Sequence, residues 1–332
     1  MEKRIEISLF NKAMGAKKGL ALFLALVISV VMLPVTASAA YHNTYADVAT
    51  LGTIEGANIT QGFDTGSTYA YSIKVNKPNT KAVIYRTHMD NGTTTVMKNN
   101  DGGVLKDYVT YLSHANDLVL ATINGEFYMF VVTMESGSLS LVKFHYVGTT
   151  YTKVGNYSIQ LNGANKAMSG VEIIGKDASN LTFLFKTGKN FYRGTLPLTA
   201  NSGSIALTAD FSINVADAKV NGDIVADLDN PSVFAHQGFG YHNNKIYVPL
   251  TLKEGNVSIV LVYSNITSAS GIITSENDLS FRITSSTYSD LFEIEGVGIG
   301  SGGKLYFNTN RRINSTDTTH DGVHYFKTYV AS

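Results

Sequence analysis

The chain has 332 residues, of which 44% are hydrophobic and 16% are charged, and its 26 basic side chains balance its 26 acidic ones. It contains no cysteine, which excludes disulfides, thiolate metal ligands, a lipoprotein anchor and cysteine nucleophiles. No long run or stripe of Lys and Arg follows residue 39, so the electrostatic pattern of a nucleic-acid partner or an anionic-membrane partner is absent.

Residues 1–39 are predicted to be a secretory signal peptide. Five basic side chains precede Leu20–Leu33, an apolar run of 14 residues that is too short to span a bilayer. Ala37-Ser38-Ala39 supplies the small residues that a signal peptidase requires, so we expect the mature chain to begin at Ala40. The alternative is an N-terminal membrane anchor.

The predicted mature chain, residues 40–332, has 293 residues with 21 basic and 24 acidic side chains. That length is enough for a sizeable core without disulfides. No second hydrophobic segment occurs in it. We therefore expect a secreted, extracellular protein without stable membrane insertion.

Alternation of apolar and polar residues dominates this mature part, and helical periodicity is almost absent. Tyr69–Val75, Leu181–Phe185 and Lys304–Asn308 alternate in this way and are rich in aromatic and β-branched residues. Turn signals such as Asn91-Gly92 and Asn124-Gly125 separate the runs. Only five prolines occur and no linker marks a boundary. The pattern predicts one all-β domain, and no cofactor is implied.

Five segments share a repeated pattern, in which a small residue near the start of an apolar strand is followed by a turn and a second strand. The small residues lie 53 to 68 positions apart and are Gly62, Ala115, Gly170, Gly238 and Gly296. Further strand pairs follow each segment, which gives four strands per repeat.

A repeat of four strands is the size of a propeller blade, and blades stack radially because one sheet cannot bury both of its faces alone. A small residue suits an innermost strand, since these strands crowd near the axis. The pattern predicts a single-domain β-propeller with five blades of four antiparallel strands. We expect Asp47–Ile54 to pair with Val323–Val330 and close the last blade. A β-sandwich and a β-solenoid are the competing interpretations.

Eight polar side chains fall at or near the starts of the predicted innermost strands, where they would face the axis or the next blade. This candidate ligand site consists of Gln61, His114, Asn116, Glu172, His236, Gln237, Glu293 and Glu295. Such a ring suits a cation, a sugar or a polar peptide. The alternative is scaffolding between blades, because buried polar groups must find partners.

Glu293 and Glu295 are two apart on a predicted strand, so their carboxyl groups share one face and would repel each other. His114 and His236 are the candidate partners that would offset this repulsion. Ile294 and Val297 cannot both fit strict alternation, and Gly296 is therefore expected to mark a β-bulge.

No catalytic residue and no metal site are assigned from the sequence. A glycosidase requires two carboxyl groups about 5 to 10 Å apart, and the candidates for such a pair are Asp64, Asp117, Glu172, Glu293 and Glu295. The chain has no Trp to form a sugar platform. It also lacks G-x-S-x-G, H-E-x-x-H and an Asp-rich calcium loop.

Three motifs in this order resemble the helveticin J family: His114-Ala115-Asn116, Gln237-Gly238-Phe239-Gly240-Tyr241 with Lys245-Ile246-Tyr247, and Glu293-Ile294-Glu295-Gly296-Val297. Asn116 stands where the family pattern has an acid. Members are secreted bacteriocin-type proteins of Gram-positive bacteria. The resemblance implies a β-propeller that is antibacterial or targets the cell envelope through a ligand site at its axis.

The partner implied by this resemblance is an envelope glycan or another surface ligand of a different bacterium. Two alternatives stay open beside it. One is a non-lethal extracellular propeller that binds carbohydrate or cell wall, and the other is a propeller that cleaves glycans.

Overall fold

The computed structural model describes residues 39–134, 139–253 and 255–331. The predicted signal segment up to Ser38 lies outside the described residues. Within these ranges the structure has 27 β-strands and three short 3₁₀ turns, at Asp101–Gly103, Ile266–Ser268 and Ser301–Gly303. No helix of the described part is long and apolar enough to cross a membrane.

The strands form five blades, each built mainly from antiparallel strands that follow one another in the chain, and a parallel pairing of outer strands joins the second and third blades into one sheet. Two strands, β1 (Ala40–His42) and β2 (Tyr45–Thr50), precede them. Blade I contains β3 (Ile59–Thr65), β4 (Tyr69–Val75), β5 (Ala82–His88) and β6 (Thr94–Val96). After β7 (Lys98–Asn99), blade II contains β8 (Asp117–Ile123), β9 (Glu126–Val132), β10 (Ser140–Val147) and β11 (Thr150–Leu161).

After β12 (Ala164–Asn165), blade III contains β13 (Gly170–Lys176), β14 (Asn180–Thr187), β15 (Asn190–Pro197) and β16 (Ser202–Asn214). A small hairpin follows, made of β17 (Lys219–Val220) and β18 (Asp223–Ile224). Blade IV contains β19 (Phe234–His236), β20 (Gly240–His242), β21 (Lys245–Leu252), β22 (Val257–Ser264) and β24 (Leu279–Thr284), with β23 (Gly271–Thr274) parallel to β16. Blade V contains β25 (Leu291–Ile299), β26 (Leu305–Arg312) and β27 (Gly322–Phe326).

The N-terminal strands complete the last two blades. β2 pairs antiparallel with β27, from Tyr45 opposite Phe326 to Thr50 opposite Gly322, and this confirms the predicted closure. β1 adds to the outer edge of blade IV, parallel to β24. The two ends of the described chain are therefore joined by backbone hydrogen bonds within one sheet.

The innermost strands contact one another in a closed order of five blades, β3 to β8 to β13 to β20 to β25 and back to β3. Each predicted small residue lies in or beside one of these strands. A Cβ added to Gly62 would lie 3.0 Å from the carbonyl oxygen of Ala115, and one on Gly296 would lie 2.7 Å from Cβ of Phe63. The predicted five-bladed propeller is confirmed, and crowding at the axis explains its glycines.

Alternating side chains bury both faces of each blade. The described residues form five apolar clusters, and each lies between two neighbouring blades. In β14, for example, Phe183 and Phe185 belong to the cluster shared with blade II, while Leu184 belongs to the cluster shared with blade IV. The core is consequently divided into five layers around the axis rather than gathered in one centre.

Candidate functional site at the propeller axis

Three carboxyl groups come to the axis from the first three blades, on Asp64 in β3, Asp117 in β8 and Glu172 in β13. Each stands two residues after the small residue of its repeat, whereas blades IV and V have Gly240 and Gly298 there. A Cβ on Gly298 would lie 3.2 Å from Oδ1 of Asp64. Gly298 thus leaves room for the carboxyl group of Asp64, whereas a Cβ on Gly240 would lie 2.6 Å from the carbonyl oxygen of Val297.

Asp64 connects blade I to blade II through its two oxygens. The backbone N–H of Thr65 donates to Oδ1 at 2.6 Å, and that of Leu120 donates to Oδ2 at 2.8 Å. The side chain is half-buried, and burial raises its pKa to about 7, against the opposing effect of the two N–H groups. Asp64 therefore changes its charge close to neutral pH.

Asp117 is fully buried and connects blade II to blade III. The N–H groups of Leu118 and Val171 each donate to one of its oxygens at 3.0 Å. Burial raises the pKa of Asp117 well above its usual range, and the nearby charge of Asp64 raises it further. Asp117 is therefore a weaker acid than an exposed aspartate.

Glu172 is 6% exposed and reaches the axis from blade III. Burial raises its pKa well above the usual value, and repulsion by Asp64 and Asp117 adds to the rise. The backbone N–H groups of Tyr241 and Ile173 oppose it. Burial therefore makes Glu172 a weaker acid than an exposed glutamate.

Asp64 and Glu172 line a common pocket of about 300 Å³, here called the axial pocket. Tyr241 and Lys176 also line it, and Nζ of Lys176 donates to the carbonyl oxygen of Thr122 at 2.6 Å. The pocket therefore combines a carboxyl group whose pKa is raised by burial, a carboxyl group that ionises near pH 7, an aromatic ring and a cation. Both chemical roles of an acid–base pair are available in it.

The sequence-predicted ring is divided between two places. Glu172 lines the axial pocket, whereas the other seven predicted residues lie at or just before the starting ends of the innermost strands. There, Nε2 of Gln237 donates to Oε1 of Glu293 at 2.7 Å, and Nδ2 of Asn310 donates to Oε1 of Glu295. These four residues form what we call the basal cluster.

Glu295 is the most buried member of the basal cluster, at 2% exposure. Burial raises its pKa well above the usual value, and the charge of Glu293 and their mutual hydrogen bond raise it further. Its oxygen accepts from the amide of Asn310, rather than from a histidine as expected. The pair is accommodated by a retained proton and by amide donors.

The two predicted histidines have other neighbours. Nδ1 of His114 lies 3.4 Å from Nδ2 of Asn79. Burial and the charge of Lys186 lower the pKa of His236 to about 4. His236 is consequently neutral at pH 7 and contributes no positive charge to the basal cluster.

Two more predicted residues join blades. The side-chain amide of Asn116 donates to the carbonyl oxygen of Ser169 in the next blade. The amide of Asn308 donates at 2.7 Å to the backbone carbonyl of Gln61, which is buried, and the side-chain Oε1 of Gln61 has no hydrogen-bond partner among the described residues. These contacts match the scaffolding alternative for this part of the ring.

Asp64 and Asp117 lie outside the predicted ring, although both are among the sequence candidates for a catalytic carboxyl pair. The signal that finds them is the position two residues beyond each small residue, which is acidic in the first three repeats only. Of the two tyrosines that flank the His242-Asn243-Asn244 turn, Tyr241 lines the axial pocket and Tyr247 is buried, with its hydroxyl 2.6 Å from that of Tyr329. Among the described residues, no group of three or more His, Asp or Glu side chains is arranged to hold a metal ion.

Comparison with known proteins finds similar folds only. No family model matches the chain, and no curated protein matches it. A solved exo-β-1,3-galactanase from Phanerochaete chrysosporium is 14% identical, over 85% of this chain and 64% of that chain, with a TM-score of 0.45. A GH43 β-1,3-galactosidase is 11% identical, over 85% of this chain and 60% of that chain, with a TM-score of 0.49.

Regucalcin, a calcium-binding protein from Agrobacterium tumefaciens, is 10% identical, over 84% of this chain and 94% of that chain, with a TM-score of 0.41. The chain spans less than two thirds of the length of the galactanase and the galactosidase. At these identities and TM-scores, the likenesses assign no family and no activity to the chain.

Proposed function

We propose that the chain is a glycan-cleaving hydrolase whose reaction takes place in the axial pocket. The observation that carries this proposal is the pair of carboxyl groups, Asp64 and Glu172, that line one pocket and whose pKa values are both raised by burial, that of Asp64 to about 7. Glycoside hydrolysis requires one carboxylic acid that holds a proton and one carboxylate that is ionised. The burial of Glu172 and the partial exposure of Asp64 support these two states.

The roles follow from the two protonation states. The Glu172 O–H donates its proton to the glycosidic oxygen as the C–O bond breaks. The Asp64 carboxylate removes a proton from the water whose oxygen forms the new bond to the anomeric carbon. Asp64 ends protonated and Glu172 ionised, and exchange with solvent restores both. Asp117 is a positioning residue, because it raises the pKa of Glu172 from outside the pocket lining.

Other features of the pocket support a sugar ligand. A volume of about 300 Å³ is at the lower end of the range for small-molecule sites. Tyr241 offers an aromatic face, although the chain has no Trp. The backbone amides that hold Asp64 fix its orientation, so little reorganisation is needed when substrate binds.

Substitution of the two carboxyl groups tests the proposal. With a panel of polysaccharides and chromogenic glycosides, the wild-type protein is expected to release sugar from at least one substrate. Asp64→Asn and Glu172→Gln should each lower kcat by about 100-fold or more, with melting temperatures that show folded protein. Asp223→Asn, at an exposed carboxylate of β18, is the matched control and should keep full activity.

The pH profile provides a second readout. Because Asp64 must be ionised to act as a base, kcat/KM should rise with pH through about 7. It should fall again at higher pH, where Glu172 loses its proton. Glycan binding without cleavage would support the carbohydrate-binding alternative, and absence of both binding and cleavage would refute a glycan site in this pocket.

The antibacterial activity implied by the helveticin J resemblance stays a prediction. The axial pocket is compatible with it if the glycan belongs to the envelope of another bacterium. Growth inhibition of a neighbouring species separates a lethal protein from a non-lethal glycan-active one.

A further inference from the structure

A larger depression of about 550 Å³ lies between blades I and II. Its walls include four aromatic side chains and one arginine, and we call it the aromatic groove: Tyr69, Tyr71, Arg86, Phe127 and Tyr146. Its floor shares Thr65, Leu120, Ala121 and Thr122 with the axial pocket. A glycan with one unit in the axial pocket therefore has a path into this groove.

Two rings of the groove, Tyr71 and Tyr146, also belong to the apolar cluster between blades I and II, and Phe127 extends this cluster toward solvent. Phe127 is 51% exposed, although its ring centroid lies 5.8 Å from that of Tyr146. Tyr146 in turn lies 5.4 Å from Tyr71. A partly exposed aromatic cluster in a concave surface is typical of a ligand groove.

Arg86 is the charged group of this groove, and its guanidinium group does not use all of its hydrogen-bond donors. Its guanidinium carbon lies 4.2 Å from the ring centroid of Tyr69, and Nη1 donates to the carbonyl oxygen of Gly148 at 2.6 Å. Nε of Arg86 is buried and has no hydrogen-bond partner in the part of the chain that the structure describes. No carboxylate within that part forms an ion pair with Arg86.

An arginine in this state favours an anionic ligand. A planar guanidinium that lines a groove and has no carboxylate partner matches a carboxylate ligand through two parallel hydrogen bonds. A second cation, Lys176, is exposed at the axial pocket and is bonded to Thr122, a residue that both depressions share. The path between the two depressions is thus flanked by positive charge.

We infer that the aromatic groove binds a carboxylate-bearing sugar unit, so that the glycan recognised by this chain is acidic. The class includes uronic acids and carboxylated amino sugars. The inference deepens the proposed function and rests on it only for the cleavage of that glycan. Binding in the groove requires Arg86 and the aromatic rings, and it does not require the acid–base pair.

Titration calorimetry with matched pairs of oligosaccharides tests the inference. The probes are oligosaccharides that contain glucuronate, galacturonate, mannuronate or N-acetylmuramate, each beside its carboxyl-reduced neutral counterpart. Wild-type and Glu172→Gln proteins should bind at least one acidic member about 10- to 100-fold more tightly than its neutral counterpart. Arg86→Gln should remove this preference, and Arg282→Gln in blade IV should retain it.

Two further variants separate recognition from folding. Arg86→Lys keeps a positive charge and should keep part of the preference, although it loses the two-pronged geometry. Phe127→Ala should weaken the binding of the acidic and the neutral oligosaccharides to a similar degree. An equal affinity of wild-type protein for every acidic and neutral pair would overturn the inference, as would a full preference in folded Arg86→Gln.

The outcome also distinguishes the inference from the proposed function. Cleavage of neutral glycans only, at the same rate in wild-type and Arg86→Gln proteins, would keep the hydrolase proposal and refute the acidic groove. Arg86-dependent binding of an acidic oligosaccharide that the wild-type protein does not cleave would keep the acidic groove and refute the hydrolase proposal.

Discussion

Individual buried acids in this protein differ in charge because their partners differ. Asp321 forms an ion pair with Lys74 at 2.9 Å, with both side chains almost inaccessible, and the lysine opposes the rise that burial causes in the pKa of Asp321. Glu295 has no cation beside it, so only the amide of Asn310 opposes burial and the charge of Glu293, and the pKa of Glu295 is raised well above its usual value. The partner, rather than burial alone, decides the ionisation state.

Glu295→Gln tests this explanation through the pH dependence of stability. The pKa of Glu295 is raised above its unfolded value of about 4.5, so its contribution to stability is complete below that pH and is lost as the pH rises toward the folded pKa. Glutamine is neutral and can accept from Asn310 in the same way. We expect the melting temperature of the variant to equal that of wild type at pH 4.5 and to exceed it by about 2 to 4 °C at pH 8.

Scanning calorimetry across this pH range provides the measurement. Asp223→Asn, at an exposed carboxylate of β18, is the control and should show no such trend. A melting temperature of Glu295→Gln that falls equally at every pH would mean that Glu295 stabilises the blades as an ionised group.

The innermost strands contain a local bulge and a close backbone contact that fit them to the crowded axis. β25 has a register shift between Ile294 and Gly296, which confirms the predicted bulge and lets Ile294 and Val297 both enter the core. Between β19 and β20, the N–H of Gly238 donates at 3.0 Å to the carbonyl oxygen of Glu295 in blade V. A Cβ on Gly238 would lie 2.9 Å from the carboxyl group of Asp117. Close backbone approach is therefore a requirement of this position.

Gly238→Ala should destabilise the protein because Asp117 is fixed by backbone N–H groups and cannot move aside. The expected loss is about 1 to 3 kcal/mol, the usual cost of overpacking, measured by urea unfolding. Gly52→Ala is the matched control, since nothing lies within 4 Å of the added Cβ, and its unfolding free energy should be unchanged. Equal stability of the two variants would contradict the role given to crowding at the axis.

For the molecule as a whole, the pairing of β2 with β27 closes the ring of five blades into one domain. Each apolar cluster needs two adjacent blades, so blade V is complete only when β2 pairs with β27. Asp47 on β2 also accepts a hydrogen bond from Nη1 of Arg311 at 2.7 Å, and its Oδ1 lies 2.9 Å from Nδ1 of His324. The N-terminal strand thus supplies backbone pairing and the charge that faces a buried arginine.

Removal of β2 is expected to weaken the entire ring. A chain that begins at Leu51 should melt at least about 10 °C below the chain that begins at Ala40. A chain that begins at Asn43 lacks only β1, which lies on the outer edge of blade IV, and should lose much less. Calorimetry on the three proteins compares them, and similar melting temperatures for the first two would show that closure by β2 is dispensable.

Much of the architecture is determined by local sequence. Alternating residues specify strands, Asn-Gly pairs specify turns, and five small residues at regular spacing specify innermost strands and hence the number of blades. The closing strand and the bulge at Gly296 follow from the same kind of pattern. The strands, turns and bulge could be predicted because each depends on residues that are neighbours along the chain, and the closing strand could be predicted because a ring of repeats must join its first and last blades.

The site depended on contacts that the chain makes only after folding. Asp64 and Glu172 belong to different blades, and their unequal pKa values arise from burial and from mutual repulsion across the axis. Arg86 and Phe127 come from non-innermost strands of two blades, so no repeat pattern marks them as neighbours. Sequence alone determined which residues form blades, and the tertiary structure decided which side chains share a pocket, because electrostatic and packing effects depend on distance in space.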